Sequence, residues 1–257
     1  MRTSTPPATL RPTRPFGGTG AFLWTEVLVQ AHESLAMATS MVTQTVLLVF
    51  VYILNPGLIG VALIGAVIFS AFTLGQRVLN EAAYIRIDHK ANDLYLAGPM
   101  SAEGYFLGMA GGILIVYLAP IALLGGLAVV VGHLSLTTSL ALLGLAGLVW
   151  LFSASVGYIF STFFRDNRAI WAYASLFFNV FGVLPPVFYP FGYFPEVLRP
   201  LALVMPPSAA AALLQSLIGA ATLSSGQTAL AAVGLVAETV IVFVVAIFWA
   251  RRTVRGP

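Results

Sequence analysis

Two stretches constrain this chain more than any other feature: residues 34–76 and 104–164 contain no Asp, Glu, Lys or Arg. Each is longer than the roughly 20 apolar residues a helix needs, at about 1.5 Å per residue, to cross a hydrocarbon core. Soluble domains carry about 25% charged residues, enough to coat a surface; this chain carries 8%. Its solvent is therefore largely lipid. The runs are continuous and rich in Leu, Ala and Gly, whereas a transmembrane β-barrel needs alternation over strands of about 10 residues. These observations predict an all-α polytopic membrane protein.

Turn signals divide the runs. "NPG" at 55–57 and "GHLSLTTS" at 132–139 break helices, which predicts spans at about 37–54, 58–78, 105–131 and 138–163. Further apolar stretches predict spans at about 169–187 and 228–250. The segment 208–222 is apolar but short, and runs of 10–14 residues are more often re-entrant or interfacial than spanning. Positive charge tests the count, because Lys and Arg favour the cytoplasmic loops. With six spans and both termini inside, every basic residue except Arg199 falls on the cytoplasmic side. A seventh span at 208–222 would also send Arg251, Arg252 and Arg255 outside, so six spans fit better.

Residues 1–20 read as a flexible basic cytoplasmic tail without the apolar core of a signal peptide. At 21–36, Glu26, Gln30 and Glu33 share one helix face, and Leu23, Val27, Ala31 and Leu35 share another, with Trp24 beside them. That pattern predicts an amphipathic interfacial (elbow) helix carrying Trp24, Glu26 and Glu33. The largest charged loop, 77–104, concentrates Arg77, Glu81, Arg86, Asp88, Lys90, Asp93 and Glu103. Residues 81–96 read as a short helix ended by Gly98–Pro99, and Ser101 with Glu103 suits the start of the next helix. The loop is either a solvated connector or a docking element for a cytoplasmic partner. A smaller charged break with Arg165 and Asp166 lies on the same side.

Several chemistries lack their residues. There is no cysteine, hence no disulfide, thiol catalysis or Cys-ligated metal. No GxxxxGK[ST] loop is present to cradle nucleotide phosphates. His32, His89 and His133 fall in three separate segments. The pI of about 9.4 comes from scattered arginines, which suits membrane topology better than nucleic-acid binding. Glu238 is the only acidic residue inside a span; it is either an intramembrane site or a neutral, hydrogen-bonded residue at a helix seam. No three-plus-three repeat of spans, the usual mark of ion-coupled carriers, is evident.

Residues 182–208 hold seven of the chain's fifteen prolines inside an apolar stretch. Irregular backbone survives at membrane depth only where protein or water covers it. The prolines therefore predict a re-entrant outer segment at 185–222. In it Pro185–Pro186 end the fifth span, Pro190 and Pro195 shape a hairpin, Pro206–Pro207 start a short helix, and Glu196 pairs with Arg199 at i, i+3.

Three stretches carry a family resemblance: "NEAAYIRIDHKANDLYLAGPMSAEGYFLG", "FFRDNRAI" and "LPPVFYPFGYFPEVLRPLALVMPPSAAAALLQSLI". With the order of spans they resemble the permease subunit of ABC-2 type exporters, the type V exporter fold, over about residues 20–252. The resemblance implies a transmembrane domain at 37–252 and a dimer with itself or a homologous permease. It also implies two separate nucleotide-binding ATPase subunits that hold ATP and Mg. The chain itself then has no cofactor and no catalytic activity. Glu81, Arg86, Asp88, Lys90, Asp93, Arg165 and Asp166 would couple to the ATPases. Pro185, Pro186, Phe188, Tyr189, Pro190 and Pro195 would form an outer gate. Gln44, Phe177, Phe181 and Glu238 are candidate pathway residues. The aromatic, uncharged surroundings suit an amphipathic or hydrophobic cargo such as a drug, a lipid or a lipid-linked glycan. The implied location is the inner or plasma membrane, with both termini cytoplasmic. An ion-coupled secondary transporter or channel, and a membrane-embedded enzyme or scaffold, are the alternatives.

Overall fold

The protein's structure is a computed structural model, and it describes residues 18–32, 34–88, 100–164 and 166–254. These residues form helices and short turns, with no strand among them. The helices are α1 Thr19–Ala31, α2 Ser34–Leu54, α3 Ile59–Ile87, α4 Ala102–Val131, α5 Leu136–Ser161, α6 Asn167–Val183, α7 Arg199–Val204, α8 Pro206–Leu217 and α9 Ser225–Val254. Single 3-10 turns lie at Pro56–Leu58, Phe191–Tyr193 and Glu196–Leu198.

Local chemistry sets the boundaries. The Asn55 side chain accepts a hydrogen bond from Gly57 N (3.0 Å) and opens the turn that leads into α3. Ser101 and Ser135 cap α4 and α5 in the same way, accepting from Gly104 N (3.0 Å) and Thr138 N (3.1 Å). Such caps satisfy amides that a helix start leaves without intrahelical partners. α6 stops at Val183 and not at 187, because the residue before Pro185 is pushed out of the helical region.

Among the described residues, four helical segments are long and apolar enough to cross a membrane: Pro56–Ile87, Ala102–Val131, Leu136–Ser161 and Ser225–Arg252. There are five if α7 and α8, which meet at a 108° bend, count as one broken span. The chain is thus all-helical over the described residues, with the makings of a polytopic membrane protein. α6, with 17 residues, reaches only about 25 Å, short of a core roughly 30 Å thick.

One boundary differs materially from expectation. α3 does not end near residue 78; it continues to Ile87. Nothing in "VLNEAAYIRI" breaks a helix, and charge alone does not mark the point where a helix meets water. The expected separate helix at 81–96 therefore begins as the last two turns of α3, while its remainder, with Lys90 and Asp93, lies outside the described residues.

α3 is the spine. Buried residues surround it from Val61 to Ile85, as expected of a helix enclosed on all sides. It packs against α2, α4, α5, α6 and α8. Its closest neighbour is α5: a Cβ at Gly75 would overlap the carbonyl of Ser153, and one at Gly157 would overlap the carbonyl of Gly75. Ser153 Oγ also donates to Ala71 O (3.2 Å). Small residues at this crossing let two backbones touch, the usual device where no water drives helices together.

α1 is docked, not lying apart. Gly108 meets Thr19, Phe22 and Leu23, and Gly112 meets Leu23, Glu26 and Val27. Position advances together on both helices, so α1 and α4 run in the same direction along Gly108, Gly111 and Gly112. This reverses the expected use of the polar face. Glu26 and Gln30 are buried, and Trp24, Leu28 and Val29 are exposed. The reason is a partner: Gln30 Nε2 donates to Glu81 Oε2 (3.0 Å) on α3. Glu33 lies outside the described residues.

Candidate functional site

Along α3, Thr73, Gln76, Arg77 and Asn80 recur at i, i+3, i+4 and i+7 and so share one face. They line a cleft of about 210 Å³, with Thr43 from α2, Phe69 and Leu74 from α3, Tyr117 from α4, and Trp171 and Asn179 from α6. The remaining faces of α3 pack mostly apolar side chains, with Glu81 and Arg86 engaged near its end, so this cleft gathers polar side chains within a largely greasy bundle.

Its hydrogen bonds are partly internal. Gln76 Nε2 donates to Ser175 Oγ (2.9 Å), and Asn179 Nδ2 donates to Ser175 O (2.8 Å). Thr73 Oγ1 donates to Ser70 O (3.0 Å). The Arg77 guanidinium lies 5.4 Å from the centre of the Tyr117 ring, within the range of a cation–π contact. Asn80 differs: its side-chain oxygen and nitrogen are both shut off from solvent, and neither has a hydrogen-bond partner. Arg77 carries the only formal charge among the lining residues. A narrow crevice lined by Gln44, Ser70, Leu74, Tyr117, Pro120 and Ile121 adjoins the cleft. Gln44, expected on the pathway, thus sits at its edge.

Phe177 and Phe181, also expected there, are elsewhere. They line a larger apolar groove of about 500 Å³ with Leu79, Phe160, Phe164 and Tyr173. α6 divides the two spaces. Glu238 lines neither; it is half-buried on α9, between buried Leu235 and Thr239. Among the described residues its carboxylate makes no hydrogen bond or ion pair.

The proline segment is tightly held. Pro185, Pro186, Phe188 and Pro190 are buried, and Tyr189 is half-buried, whereas Pro195 is exposed. Phe188 packs edge-on against Phe69 at 5.4 Å. The Val187 carbonyl passes so close to Gly65 that a Cβ there would collide with it. Tyr189 OH donates to Leu184 O (2.8 Å). Beneath the loop, the fully buried Gln215 of α8 accepts from Phe191 N (2.7 Å) and donates to Tyr189 O (3.1 Å) and Pro186 O (3.3 Å). Arg199 meets Glu196 at 3.4 Å, as the i, i+3 spacing suggested, and also donates to Phe194 O and Gly192 O.

At the opposite, charged end, the residues expected to couple to a partner divide in two. Glu81 is engaged by Gln30, and Arg86 donates to Ser161 O and, at 2.8 Å, to Phe164 O. Arg86 thus satisfies carbonyls that the end of α5 leaves open. Asp88 and Asp166 are exposed. Lys90, Asp93 and Arg165 lie outside the described residues. Arg251 of α9 reaches Glu103 of α4 at 2.7 Å, and Trp249 Nε1 donates to Thr162 Oγ1 (2.9 Å).

Sequence reasoning misses Asn80, Trp171, Asn179 and Gln215, and it misplaces Arg77 in a loop. The i, i+3, i+4, i+7 polar spacing on α3 is present to find, but ending the helix at 78 hides it. For Gln215 the signal is a lone amide in the apolar segment "SAAAALLQSLIGA". No family model matches this chain, and no curated protein matches it.

Proposed function

We propose that the chain is the membrane permease subunit of an ATP-driven exporter of the ABC-2 type. The observation that carries the reading is the polar cleft among α2, α3, α4 and α6. A bundle this apolar has no packing reason to keep a row of hydrogen-bonding side chains and an arginine on one face of its central helix. Polar and ionisable groups at membrane depth are expensive and mark passages by default.

In this reading α2, α3, α4, α5, α6 and α9 are the six spans, α7 and α8 form the outer re-entrant hairpin, and both termini face the cytoplasm. The cleft takes the polar part of an amphipathic or hydrophobic cargo. The charged end, with exposed Asp88 and Asp166, faces two separate ATPase subunits, which bind ATP and Mg. A second copy of the chain, or a homologous permease, completes the pathway. The bundle is then the bistable element that nucleotide binding in the partner biases.

The test is co-purification with a P-loop ATPase, followed by transport into sealed vesicles. Export that needs both ATP and the partner supports the reading. Robust transport by the isolated chain without any ATPase overturns it. An ion-coupled carrier would place a carboxylate on the pathway, and Glu238 lines neither space.

A further inference from the structure

We infer that the crevice beside Pro120 binds one water molecule, held by the Gln44 amide, and that this water stands in for the hydrogen bond that Pro120 takes away from α4.

The missing bond comes first. Pro120 lies inside α4. A proline there has no N–H to give, so the carbonyl one turn back, that of Val116, loses its intrahelical donor. Surrounded by hydrocarbon, such a carbonyl needs another partner, and ordered water is among the devices that let proline persist in a spanning helix.

The polar groups come second. Gln44 of α2 is 3% exposed, and it lines the crevice with Ser70, Leu74, Tyr117, Pro120 and Ile121. Among the described residues the Gln44 amide has no hydrogen-bond partner. A buried amide in that state is costly. Ser70 Oγ donates to Ala66 O (2.6 Å), which leaves its lone pairs to accept. A water that accepts from Gln44 Nε2 can give one hydrogen to Ser70 Oγ and the other to the Val116 carbonyl. Buried waters make roughly two to four such bonds.

Size comes third. The crevice holds about 10 Å³, close to the roughly 10–15 Å³ that a single water needs. Any larger ligand is too big for it. Leu74 and Tyr117 line both the crevice and the polar cleft, so the cleft is the way in.

Position gives the site its use. Before Pro120, α4 is clamped: Gly108 and Gly112 meet α1, and Glu103 meets Arg251. After Pro120, only Leu124 and Ala128 of α4 are buried, and a Cβ at Gly125 or Gly126 would meet nothing within 4 Å. One exchangeable water therefore ties α2 and α3 to α4 at the point where α4 passes from tightly to loosely held.

The experiment uses the full chain in lipid nanodiscs. A structure at a resolution that shows ordered water should place one peak within hydrogen-bond distance of both the Gln44 amide and the Val116 carbonyl. A Gln44 amide bonded directly to protein groups, with no solvent peak beside Pro120, overturns the inference. Thermal unfolding reads the link between the two residues. Gln44→Leu should lower the melting temperature by roughly 2–10 °C, because it displaces the water and orphans the Val116 carbonyl. In Pro120→Ala, α4 supplies its own N–H to that carbonyl, so Gln44→Leu should cost less than about half as much there. Equal drops in the two backgrounds overturn the inference. If Gln44→Leu does not purify as a monodisperse species, Ser70→Ala carries the same cycle with a smaller shift, and strict additivity with Pro120→Ala overturns it there too.

Discussion

The side-chain oxygen of Gln215 accepts the backbone N–H of Phe191 at 2.7 Å, from a position where neither group meets solvent. Three prolines stand just before Phe191, at 185, 186 and 190. Proline has no N–H to give, so the local backbone is rich in acceptors and poor in donors. One glutamine offsets that imbalance: its NH₂ group donates to the carbonyls of Pro186 and Tyr189. Buried backbone outside a regular helix is tolerable only where its polar groups are paired in this way. In this fold α8 supplies the cover.

Gln215→Leu should therefore destabilise the protein by about 2–4 kcal/mol, since it strands one buried N–H and two carbonyls. Gln215→Glu keeps the acceptor and loses the donor, so it should also destabilise. The check is thermal unfolding in detergent, with proteolysis at 185–198 as a local probe. Wild-type melting together with an unchanged cleavage rate would show that the amide is not what holds the loop.

The α3–α5 crossing makes a sharper prediction about glycine. A Cβ at Gly157 would overlap the Gly75 carbonyl, a backbone atom that cannot rotate away. Gly157→Val should force the helices apart and cost about 3 kcal/mol or more, at the severe end of core overpacking. Gly125→Ala on α4 meets open space and should be neutral or slightly stabilising, because alanine favours helix over glycine by up to about 1 kcal/mol. Paired melting curves of the two variants test the contrast, and equal shifts would refute it.

Glu103 and Arg251 join the start of α4 to the end of α9 at 2.7 Å. The carboxylate side chain is only 9% exposed, the guanidinium 48%. Removing the exposed partner leaves the more buried charge uncompensated, so Arg251→Ala should cost more than Glu103→Gln. The coupling of such a half-exposed pair should be about 1 kcal/mol, at the upper end for surface ion pairs. A double-mutant cycle on thermal stability measures it, and additivity within error would mean that the pair holds nothing.

How far the sequence can be read depends on what each residue advertises. Charge-free runs and the "NPG" and "GHLS" breaks have local causes, and the helices from α2 to α5 start and stop near them. Pro206–Pro207 marks the start of α8 for the same reason. The rule of thumb that equates charge with water fails here. Glu26, Gln30, Glu81 and Arg86 look like solvated residues in one dimension, yet each is turned towards another helix, and only tertiary packing reveals that. The same rule hides the cleft, because in one dimension Arg77 looks like the end of a helix that in fact carries it onward. Gln215 is a partner to backbone atoms 24 residues away, and no local pattern encodes such a distance.

At the charged end Arg86 is engaged within the fold while Asp88 and Asp166 are exposed, and what each contributes is testable. Arg86 is already committed to the carbonyls of Ser161 and Phe164, so Arg86→Ala should lower stability by about 2 kcal/mol through acceptors left open at the end of α5. Any effect on a partner ATPase would follow from displacing the turn at 162–164. Asp88 and Asp166 are exposed. In the exporter reading, Asp88→Asn with Asp166→Asn should reduce cargo movement per ATP hydrolysed by more than any loss of stability accounts for. Stability and transport-coupled ATPase activity measured side by side decide the matter. A double asparagine variant that transports with normal coupling would remove these carboxylates from the partner interface, and an Arg86→Ala protein with wild-type melting would restore Arg86 as a candidate for it.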